Sequence, residues 1–380
     1  MIFQEPLNEA YTRMPEAEVL RRIAQRKQDL AGELCILGHH YQRDEVFRFA
    51  DFTGDSLKLS QQAAAADAKH IVFCGVHFMA ESADILTGPE RAVILPDLSA
   101  GCPMADMAEA DEVAEALQTI QSAAGSAKVL PVTYVNSAAA VKAITGAAGG
   151  ACCTSSNARN VFEWALRPAA RGGGGADKIL AIPDQHLACN VAVSMGYSLS
   201  DCVIYDPAAA NGGLDAGQIR AATFIVWKGE CYVHQRFSVE QVRRVRRERP
   251  GINVVVHPEC PYEVACEADL MGSTEQILRA VTEAPAGSSW AVGTEANMVQ
   301  RLAARSPDKY IRVLADRPPL CVSMARIDPP HLLWVLDNLA HGVVVNRVSV
   351  PEGIAAEALG ALERMISIQA GTGAIAGRHG

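Results

Sequence analysis

Short apolar runs rich in valine and isoleucine alternate with stretches of helical periodicity along most of the 380-residue chain. An apolar run of four to six residues between turn residues indicates a buried strand, whereas a 3.6-residue periodicity indicates a helix. The predicted strands are Cys35–Leu37, Ile71–Cys74, Ala92–Leu95, Val129–Val135, Ile179–Ile182, Cys202–Tyr205, Thr223–Trp227, Asn253–Val256, Asp269–Met271, Ser289–Val292, Tyr310–Leu314 and Val343–Val345. The clearest helical stretches are Glu16–Leu30, Asp111–Ala123, Val239–Arg249 and Pro330–His341.

This alternation predicts an α/β fold in which parallel sheets are covered by helices on both faces. Twelve predicted strands are too many for one small sheet, and the chain length also favours more than one domain. Several similar α/β units therefore fit the pattern better than a single sheet.

A weak internal repeat supports several units. Three predicted strands each lead through a short polar loop to a cysteine, at Cys102, Cys231 and Cys321, and then to a helix. The spacing between the first two is the longer, so we expect an insertion in the middle unit near Arg171–Ala176, which contains four glycines. This run lacks the Gly-Lys-Ser/Thr order of a phosphate-binding loop and is predicted to be a surface loop.

Composition excludes several classes of protein. The net charge of −9 speaks against nucleic-acid binding, which needs a basic face. No apolar run approaches the length of a membrane span, and the first residues lack the basic and apolar regions of a signal peptide, which predicts a cytoplasmic location. Eleven cysteines without a secretory signal indicate thiols or metal ligands rather than a disulfide framework, and no Cys-x-x-Cys pair suggests a small zinc module.

Polar residues stand directly after many of the predicted strands. Because the carboxyl ends of parallel strands form the ligand crevice of an open sheet, we expect one shared site there. These residues are His39–Tyr41, Tyr134–Asn136, Asp184 with His186, His257–Glu259, Gly272–Thr274 and Thr294–Glu295. Ser56 and Thr274 each open a predicted helix, where backbone amides and a hydroxyl bind anions; simple helix capping is the alternative for both.

Cysteines placed after strand ends in three units suit an iron–sulfur cluster. Three thiolates on a four-iron cluster leave one iron open to act as a Lewis acid. The alternative is that these are ordinary buried thiols. Residue patterns alone do not select three ligands among eleven cysteines.

Twelve segments in order along residues 35–341 resemble the quinolinate synthase family, which makes the pyridine ring of nicotinamide cofactors. They are Gly38–Gln42, Ala50–Leu57, Val76–Glu81, Cys102–Ala105, Tyr134–Ser137, Cys153–Asn157, Pro183–Leu187, Cys231–Gln235, His257–Pro261, Gly272–Thr274, Val292–Glu295 and Cys321–Met324. Two departures are His40, where the family often has asparagine, and Ala315 and Pro318, where some members have cysteines; neither removes a ligand.

The resemblance implies three similar three-layer αβα units with parallel sheets, in pseudo-threefold arrangement around a central 4Fe–4S cluster. It assigns the cluster to Cys102, Cys231 and Cys321. We place the first unit at residues 1–101, with 322–380 packing back on it, the second at 102–230 and the third at 231–321.

The implied reaction condenses iminoaspartate with dihydroxyacetone phosphate to quinolinate, releasing phosphate and two waters. The resemblance assigns substrate contacts to His39, Ser56, Tyr134, Asn136, Ser155, His257, Glu259 and Thr274. Glu259 and His257 are the candidate acid and base groups, with Tyr41 and His234 near the reacting atoms. An L-aspartate-oxidising enzyme that supplies iminoaspartate is a candidate partner.

Two other functions remain open from the residues. One is a zinc- or base-assisted aldolase or lyase that uses His257 and Glu259 without a cluster. The other is a non-enzymatic iron–sulfur sensor that binds a metabolite, although the chain has no recognisable output module. Iron and sulfide in an anaerobic preparation would separate the cluster enzyme from the aldolase. The remaining cysteines, including Cys35 and Cys74, are predicted to pack in the core.

Overall fold

A computed structural model of the protein describes residues 4–368 and a short strand at 375–376. The chain forms two compact units. The first comprises Met1–Cys102 and Leu320–Glu352, and the second comprises Pro103–Pro319 and Gly353–Gly380. The boundaries proposed for three sequence units remain a prediction.

The described residues contain fifteen strands. They are β1 (Leu34–His39), β2 (Phe52–Gly54), β3 (His70–Cys74), β4 (Ala92–Ile94), β5 (Val129–Tyr134), β6 (Ala151–Cys153), β7 (Lys178–Ile182), β8 (Cys202–Tyr205), β9 (Phe224–Trp227), β10 (Asn253–Val256), β11 (Leu270–Met271), β12 (Ser289–Gly293), β13 (Tyr310–Val313), β14 (Arg347–Val348) and β15 (Ile375–Ala376).

These strands form three five-stranded sheets. The first unit contains the order β14-β4-β3-β1-β2, and the second contains β6-β5-β7-β9-β8 and β13-β12-β10-β11-β15. All pairs are parallel except β14 with β4 and β15 with β11. The prediction of an α/β fold with several parallel-sheet units is confirmed. The three strands that lead to Cys102, Cys231 and Cys321 are β4, β9 and β13, one from each sheet.

Seventeen α-helices occur among the described residues, most of them between consecutive strands. They are α1 (Glu9–Thr12), α2 (Glu16–Asp29), α3 (Asp44–Phe47), α4 (Ser56–Ala65), α5 (His77–Thr87), α6 (Ala110–Ala124), α7 (Ala139–Ala147), α8 (Ala158–Leu166), α9 (Gln185–Ser194), α10 (Ala216–Ala221), α11 (Val239–Glu248), α12 (Tyr262–Glu267), α13 (Thr274–Glu283), α14 (Ala296–Arg305), α15 (Val322–Ala325), α16 (Pro329–Ala340) and α17 (Glu352–Ser367). None of the described helices is both long and apolar enough to cross a membrane.

The strand predicted at Val343–Val345 is wrong. Val343 and Val344 are about half exposed in a loop, and the strand begins only at Arg347. Asn346, with a φ of 51°, turns the chain before β14, and its side-chain amide donates to the Leu95 carbonyl at the end of the neighbouring strand. The run of valines therefore lies in the loop that precedes an edge strand, not in the strand.

Two segments of the chain are rich in glycine. The Arg171–Ala176 run is a loop before β7, as predicted, and Gly172 and Gly175 have φ values of 73° and 66°, which favour glycine. The composition of the C-terminal segment from Gly371 predicts a frayed tail, and this segment lies mostly outside the described residues. Within it, β15 pairs with β11, so that short stretch is ordered into the sheet.

The core of the first unit joins distant parts of the sequence. Apolar side chains of β1, β3 and β4 are fully buried, and α2 packs against α16. Asp337 of α16 is buried and accepts hydrogen bonds from Arg22 and Arg26 of α2 at 2.6 and 2.7 Å, and from the Tyr11 hydroxyl at 3.2 Å. The two guanidinium groups thus neutralise a carboxylate that would otherwise be buried without a partner.

In the second unit, helices α7 and α17 come close enough to require glycine. A Cβ on Gly146 of α7 would lie 1.9 Å from the carbonyl oxygen of Glu357 in α17. The Arg364 side chain of α17 donates to the Gly150 carbonyl at 2.7 Å, and Asn157 donates to the Met365 carbonyl at 2.9 Å. Helix α17 is therefore part of the second unit although it follows the first unit's last segment in sequence.

Candidate active site

Strand ends of the two sheets in the second unit supply most of the polar side chains predicted for the site. Tyr134 is the last residue of β5, Ser155 follows β6, and His257 and Glu259 follow β10. His234 lies in a short turn after Cys231, beyond the end of β9. Hydrogen bonds and ring stacking join these side chains within this unit, while the single site expected from all the strand ends stays a prediction.

Glu259 is the centre of the contacts. Its side chain is 3% exposed, and its Oε1 accepts a hydrogen bond from the Tyr134 hydroxyl at 2.6 Å. Its Oε2 lies 2.8 Å from Nδ1 of His234. Burial raises the pKa of the Glu259 carboxyl, but the His257 and His234 imidazoles and the hydrogen bonds from His234 and Tyr134 outweigh it and hold the pKa below its usual range. The carboxylate is therefore ionised at neutral pH and can accept a proton.

His257 is held as a neutral imidazole. The Glu259 backbone N–H donates to its Nδ1 at 3.3 Å, which leaves the proton on Nε2, 3.2 Å from the Ser155 hydroxyl. Burial lowers the pKa of His257 to about 3 against the opposing charge of Glu259. Its ring stacks on that of His234, with centroids 4.5 Å apart. The His257 ring is therefore neutral and can donate a hydrogen bond from Nε2 beside the carboxylate.

Thr274 and Ser56 do not cap the helices that they open. The cap of α13 is Ser273, whose hydroxyl accepts from the Gln276 N–H, and the cap of α4 is Asp55, which accepts from the Lys58 N–H. The capping alternative is therefore wrong for both residues. The Thr274 hydroxyl is buried and has no hydrogen-bond partner among the described residues, and the same holds for Oδ1 of Asn136.

The other predicted site residues lie in the first unit. His39 ends β1 and accepts at Nδ1 from the Tyr41 N–H at 3.2 Å, with the two rings edge to face at 4.8 Å. Ser56 is the first residue of α4. Cys102 and Cys321 also belong to this unit, and an ion pair at 3.0 Å between Arg326 and Asp97 joins the segments that carry them.

The cysteines fall into two groups by exposure. Cys102, Cys231 and Cys321 are partly exposed, as are Cys202 and Cys266, whereas the other six are buried. Burial raises the pKa of Cys35 to about 11 and that of Cys74 to about 12, so both remain protonated thiols in the core, as predicted. Cys260, next to Glu259, donates from its Sγ to the Gly293 carbonyl at 3.5 Å and packs in the core.

Cys231, His234 and Glu259 form a potential metal-binding group. One ligand atom from each lies within 4.8 Å of the others, and the two non-cysteine members are buried. No other such group of three occurs in the described part of the chain.

Comparison with known proteins decides the family. The family model for NadA, quinolinate synthetase A protein, matches residues 21–367. The chain belongs to the quinolinate synthetase family. A quinolinate synthase from Streptomyces coelicolor is 51% identical over 93% of this chain and 89% of its own length. Those from Acidobacterium capsulatum and Anoxybacillus flavithermus are 52% and 47% identical, over 94% and 96% of this chain and 95% and 97% of theirs.

Membership of the quinolinate synthetase family confirms the resemblance found in the sequence motifs and the prediction that the chain is an enzyme. The structure adds residues that the motifs did not single out. Asn190 of α9 donates from its side-chain amide to the carbonyls of Pro258 and Cys260, at 2.8 and 2.9 Å. It therefore holds the segment that carries Glu259. An asparagine inside the apolar stretch Leu187–Val193 was the only sequence signal for it.

Asp184 is one of the polar residues that the sequence placed directly after a strand. Its Oδ1 caps α9 by accepting from the Leu187 N–H at 2.7 Å, and its buried Oδ2 has no hydrogen-bond partner among the described residues. Burial, and then the charge of Glu259, raise the pKa of the Asp184 carboxyl well above its usual range. The charge of Glu259 thus opposes the ionisation of Asp184.

Replacing Asn190 with alanine is expected to lower the free energy of unfolding by about 1–3 kcal/mol, because two buried carbonyls lose their donor. Urea denaturation of the variant and the parent measures the change. Gln25→Ala, on the exposed face of α2, is the control and is expected to lie within about 0.5 kcal/mol of the parent. Equal stability of all three proteins would show that Asn190 does not hold this segment.

Proposed function

We propose that this chain is a quinolinate synthase that condenses iminoaspartate with dihydroxyacetone phosphate. The products are quinolinate, phosphate and two waters, which balances the atoms of the two substrates. The observation that carries the proposal is the buried Glu259 carboxylate between Tyr134 and His234, in a chain of this family. We place the enzyme in the cytoplasm, beside an L-aspartate-oxidising enzyme that supplies the unstable imine.

Cys102, Cys231 and Cys321 are the proposed ligands of a 4Fe–4S cluster. The donor chemistry fits, because all three are partly exposed thiols that follow strands of three different sheets. When bound, the cluster would supply an open iron that acts as a Lewis acid toward a hydroxyl or carbonyl oxygen. The buried cysteines are unsuitable by comparison, since a ligand must be a thiolate and burial opposes its formation.

The chain's own residues provide the proton chemistry. Ring closure removes protons from carbon and protonates leaving hydroxyls. The Glu259 carboxylate is ionised and buried, so it can take a proton from a substrate carbon without competition from water. Tyr134 and His234 fix both of its oxygens, and either can pass a proton to or from it. His257 donates from Nε2 toward a substrate oxygen when the substrate displaces Ser155, and Tyr41 is a further candidate for proton transfer.

Substrate anions are proposed to bind to the remaining polar groups. The Thr274 hydroxyl is buried without a partner among the described residues, so it can donate a hydrogen bond to a carboxylate or phosphate oxygen. The buried Oδ1 of Asn136 also has no partner there, and as an acceptor it would be satisfied by a substrate N–H or hydroxyl. Ser155, His39 and Ser56 are proposed to add further contacts. With a net charge of −9, the protein attracts anions only through such local donors.

The direct test is an anaerobic assay of the reconstituted protein with iminoaspartate and dihydroxyacetone phosphate. We expect one quinolinate and one phosphate for each pair of substrates consumed. Phosphate release without a pyridine product, or activity in protein free of iron, would instead favour the base-assisted lyase. An intact cluster that binds the substrates without turning them over would favour the sensor.

Thr274→Ala is expected to raise KM by about 10- to 100-fold, since a hydrogen bond to a charged group is worth about 1.5–3 kcal/mol. Iron content and stability should not change, because the hydroxyl makes no hydrogen bond within the described protein. Steady-state kinetics and urea denaturation measure the two effects. The matched variant Ser273→Ala removes the cap of α13 and should cost about 0.5–2 kcal/mol of stability. If Thr274→Ala destabilises the protein with KM unchanged, Thr274 has only a structural role.

A further inference from the structure

We propose that Cys231, His234 and Glu259 form a binding site for one divalent transition-metal ion of the zinc class when the cluster is absent. All three residues belong to the second unit, and their ligand atoms lie within 4.8 Å of one another. The site goes beyond the proposed function. Its competition with the cluster rests on the assignment of Cys231 as a cluster ligand.

The donor set suits such an ion. A thiolate sulfur, an imidazole nitrogen and a carboxylate oxygen are the common ligands of zinc, and the two anionic groups balance a charge of two. Bond lengths of about 2.0–2.3 Å in a tetrahedral site place ligand atoms about 3.3–3.6 Å apart. Nδ1 of His234 and Oε2 of Glu259 are 2.8 Å apart, so they need to separate only slightly to admit the ion.

Local backbone geometry brings two of the ligands together. The His234 N–H donates to the Cys231 carbonyl at 3.0 Å, which closes a single turn. Residues three apart on such a turn lie on the same side. Glu259 reaches this turn from the end of β10, and the partly exposed Cys231 provides access from solvent.

Hydrogen bonds with neighbouring side chains already orient the histidine and glutamate ligands. Nδ1 of His234 faces Glu259, while its Nε2 lies 3.1 Å from the Thr294 hydroxyl. Oε1 of Glu259 accepts from Tyr134, which leaves Oε2 for the ion. Metal-binding histidines usually donate their second N–H to such a partner, and the loss of that partner weakens binding by about 10- to 100-fold.

Occupation of this site has two consequences. It uses Cys231, so a chain that holds the ion cannot also use this thiolate for a cluster. It also engages the Glu259 carboxylate, the proposed base. Three protein ligands leave a fourth position open to water or to a substrate oxygen. Zinc is therefore expected to inhibit both the assembly of the cluster and the chemistry.

Cobalt(II) titration of the full-length chain, prepared anaerobically without cluster, tests the proposal. We expect one ion per chain, with a thiolate-to-cobalt charge-transfer band and the visible bands of a tetrahedral site. Cys231→Ala, His234→Ala and Glu259→Ala should each weaken binding by at least 10-fold, and Thr294→Val by about 10-fold. Cys102→Ala and Cys321→Ala are the matched controls. They should keep the cobalt site although they are expected to lose the cluster.

Two results would overturn the proposal. One is cobalt binding that survives His234→Ala and Glu259→Ala, and the other is binding that is lost in Cys102→Ala or Cys321→Ala. Alkylation of the unmodified chain provides a measurement that does not depend on the folding of a variant. Zinc should protect Cys231 but not Cys102 from reaction, as read by peptide mass spectrometry, and equal reaction of both would contradict the site. Iron and sulfide analysis of the reconstituted parent tests the proposed function separately. The metal-ion site and the proposed function can therefore be contradicted independently.

Discussion

Cys231→Ala is expected to leave the protein folded but without its cluster and without quinolinate formation. The same result is expected for Cys102→Ala and Cys321→Ala, because a 4Fe–4S cluster held by three thiolates has no other protein ligand to replace a missing one. Iron and sulfide analysis after anaerobic reconstitution should give about four of each per chain for the parent and little for the variants. Circular dichroism shows whether each variant is folded.

Cys35→Ala is the control for this series. The Cys35 thiol is buried in β1, and burial raises its pKa to about 11, so it is not available as a thiolate ligand. Its removal should leave the cluster and the activity intact. Full iron and sulfide in Cys231→Ala would show that the cluster assignment is wrong.

Glu259→Gln is expected to lower kcat by about 100-fold or more, the usual effect of losing a positioned acid or base. Glutamine has the same shape, and its amide oxygen can still accept from Tyr134 while its amide nitrogen lies near His234. Cluster content and substrate binding should therefore persist. Because the pKa of Glu259 is held low, the parent carboxylate stays ionised as the pH falls through neutrality, so any loss of rate there must come from another group.

The matched control is Glu263→Gln, which changes an exposed carboxylate in α12 four residues away. It should turn over at the parental rate. Single-turnover kinetics with both variants separates chemistry from product release. If Glu259→Gln retains nearly normal turnover with its cluster intact, the proton is transferred elsewhere, and Tyr41 or His234 becomes the next residue to test.

The sequence was most informative where structure depends on neighbouring residues. Ile71–Cys74 and Asn253–Val256 were identifiable because strands buried on both faces are continuously apolar. Strands β2 and β6 were missed because their three residues include no valine or isoleucine, unlike those of the equally short β4. Val343–Val345 was misassigned because an apolar run does not reveal that its side chains are exposed.

The candidate site likewise contains residues that the local sequence revealed and residues that it did not. Tyr134, His257 and Glu259 were found because they stand at strand ends, a position that depends on sequence order alone. The role of Asn190 depends on a contact between α9 and a segment about 70 residues further along the chain. No local sequence pattern indicates such a contact. Ser273 rather than Thr274 caps α13, a choice between adjacent hydroxyls that only backbone geometry decides.

Segments near the end of the sequence complete both units, and this affects folding during synthesis on the ribosome. The first unit needs α16 and β14 to cover α2 and pair with β4, and the second needs α17 against α7. A nascent chain that has emerged only as far as β13 therefore exposes apolar faces of both units. Domains normally fold as they emerge, but neither unit of this chain can complete its fold until the last segments have emerged. A truncated transcript that ends after β13 would therefore yield a protein prone to aggregation.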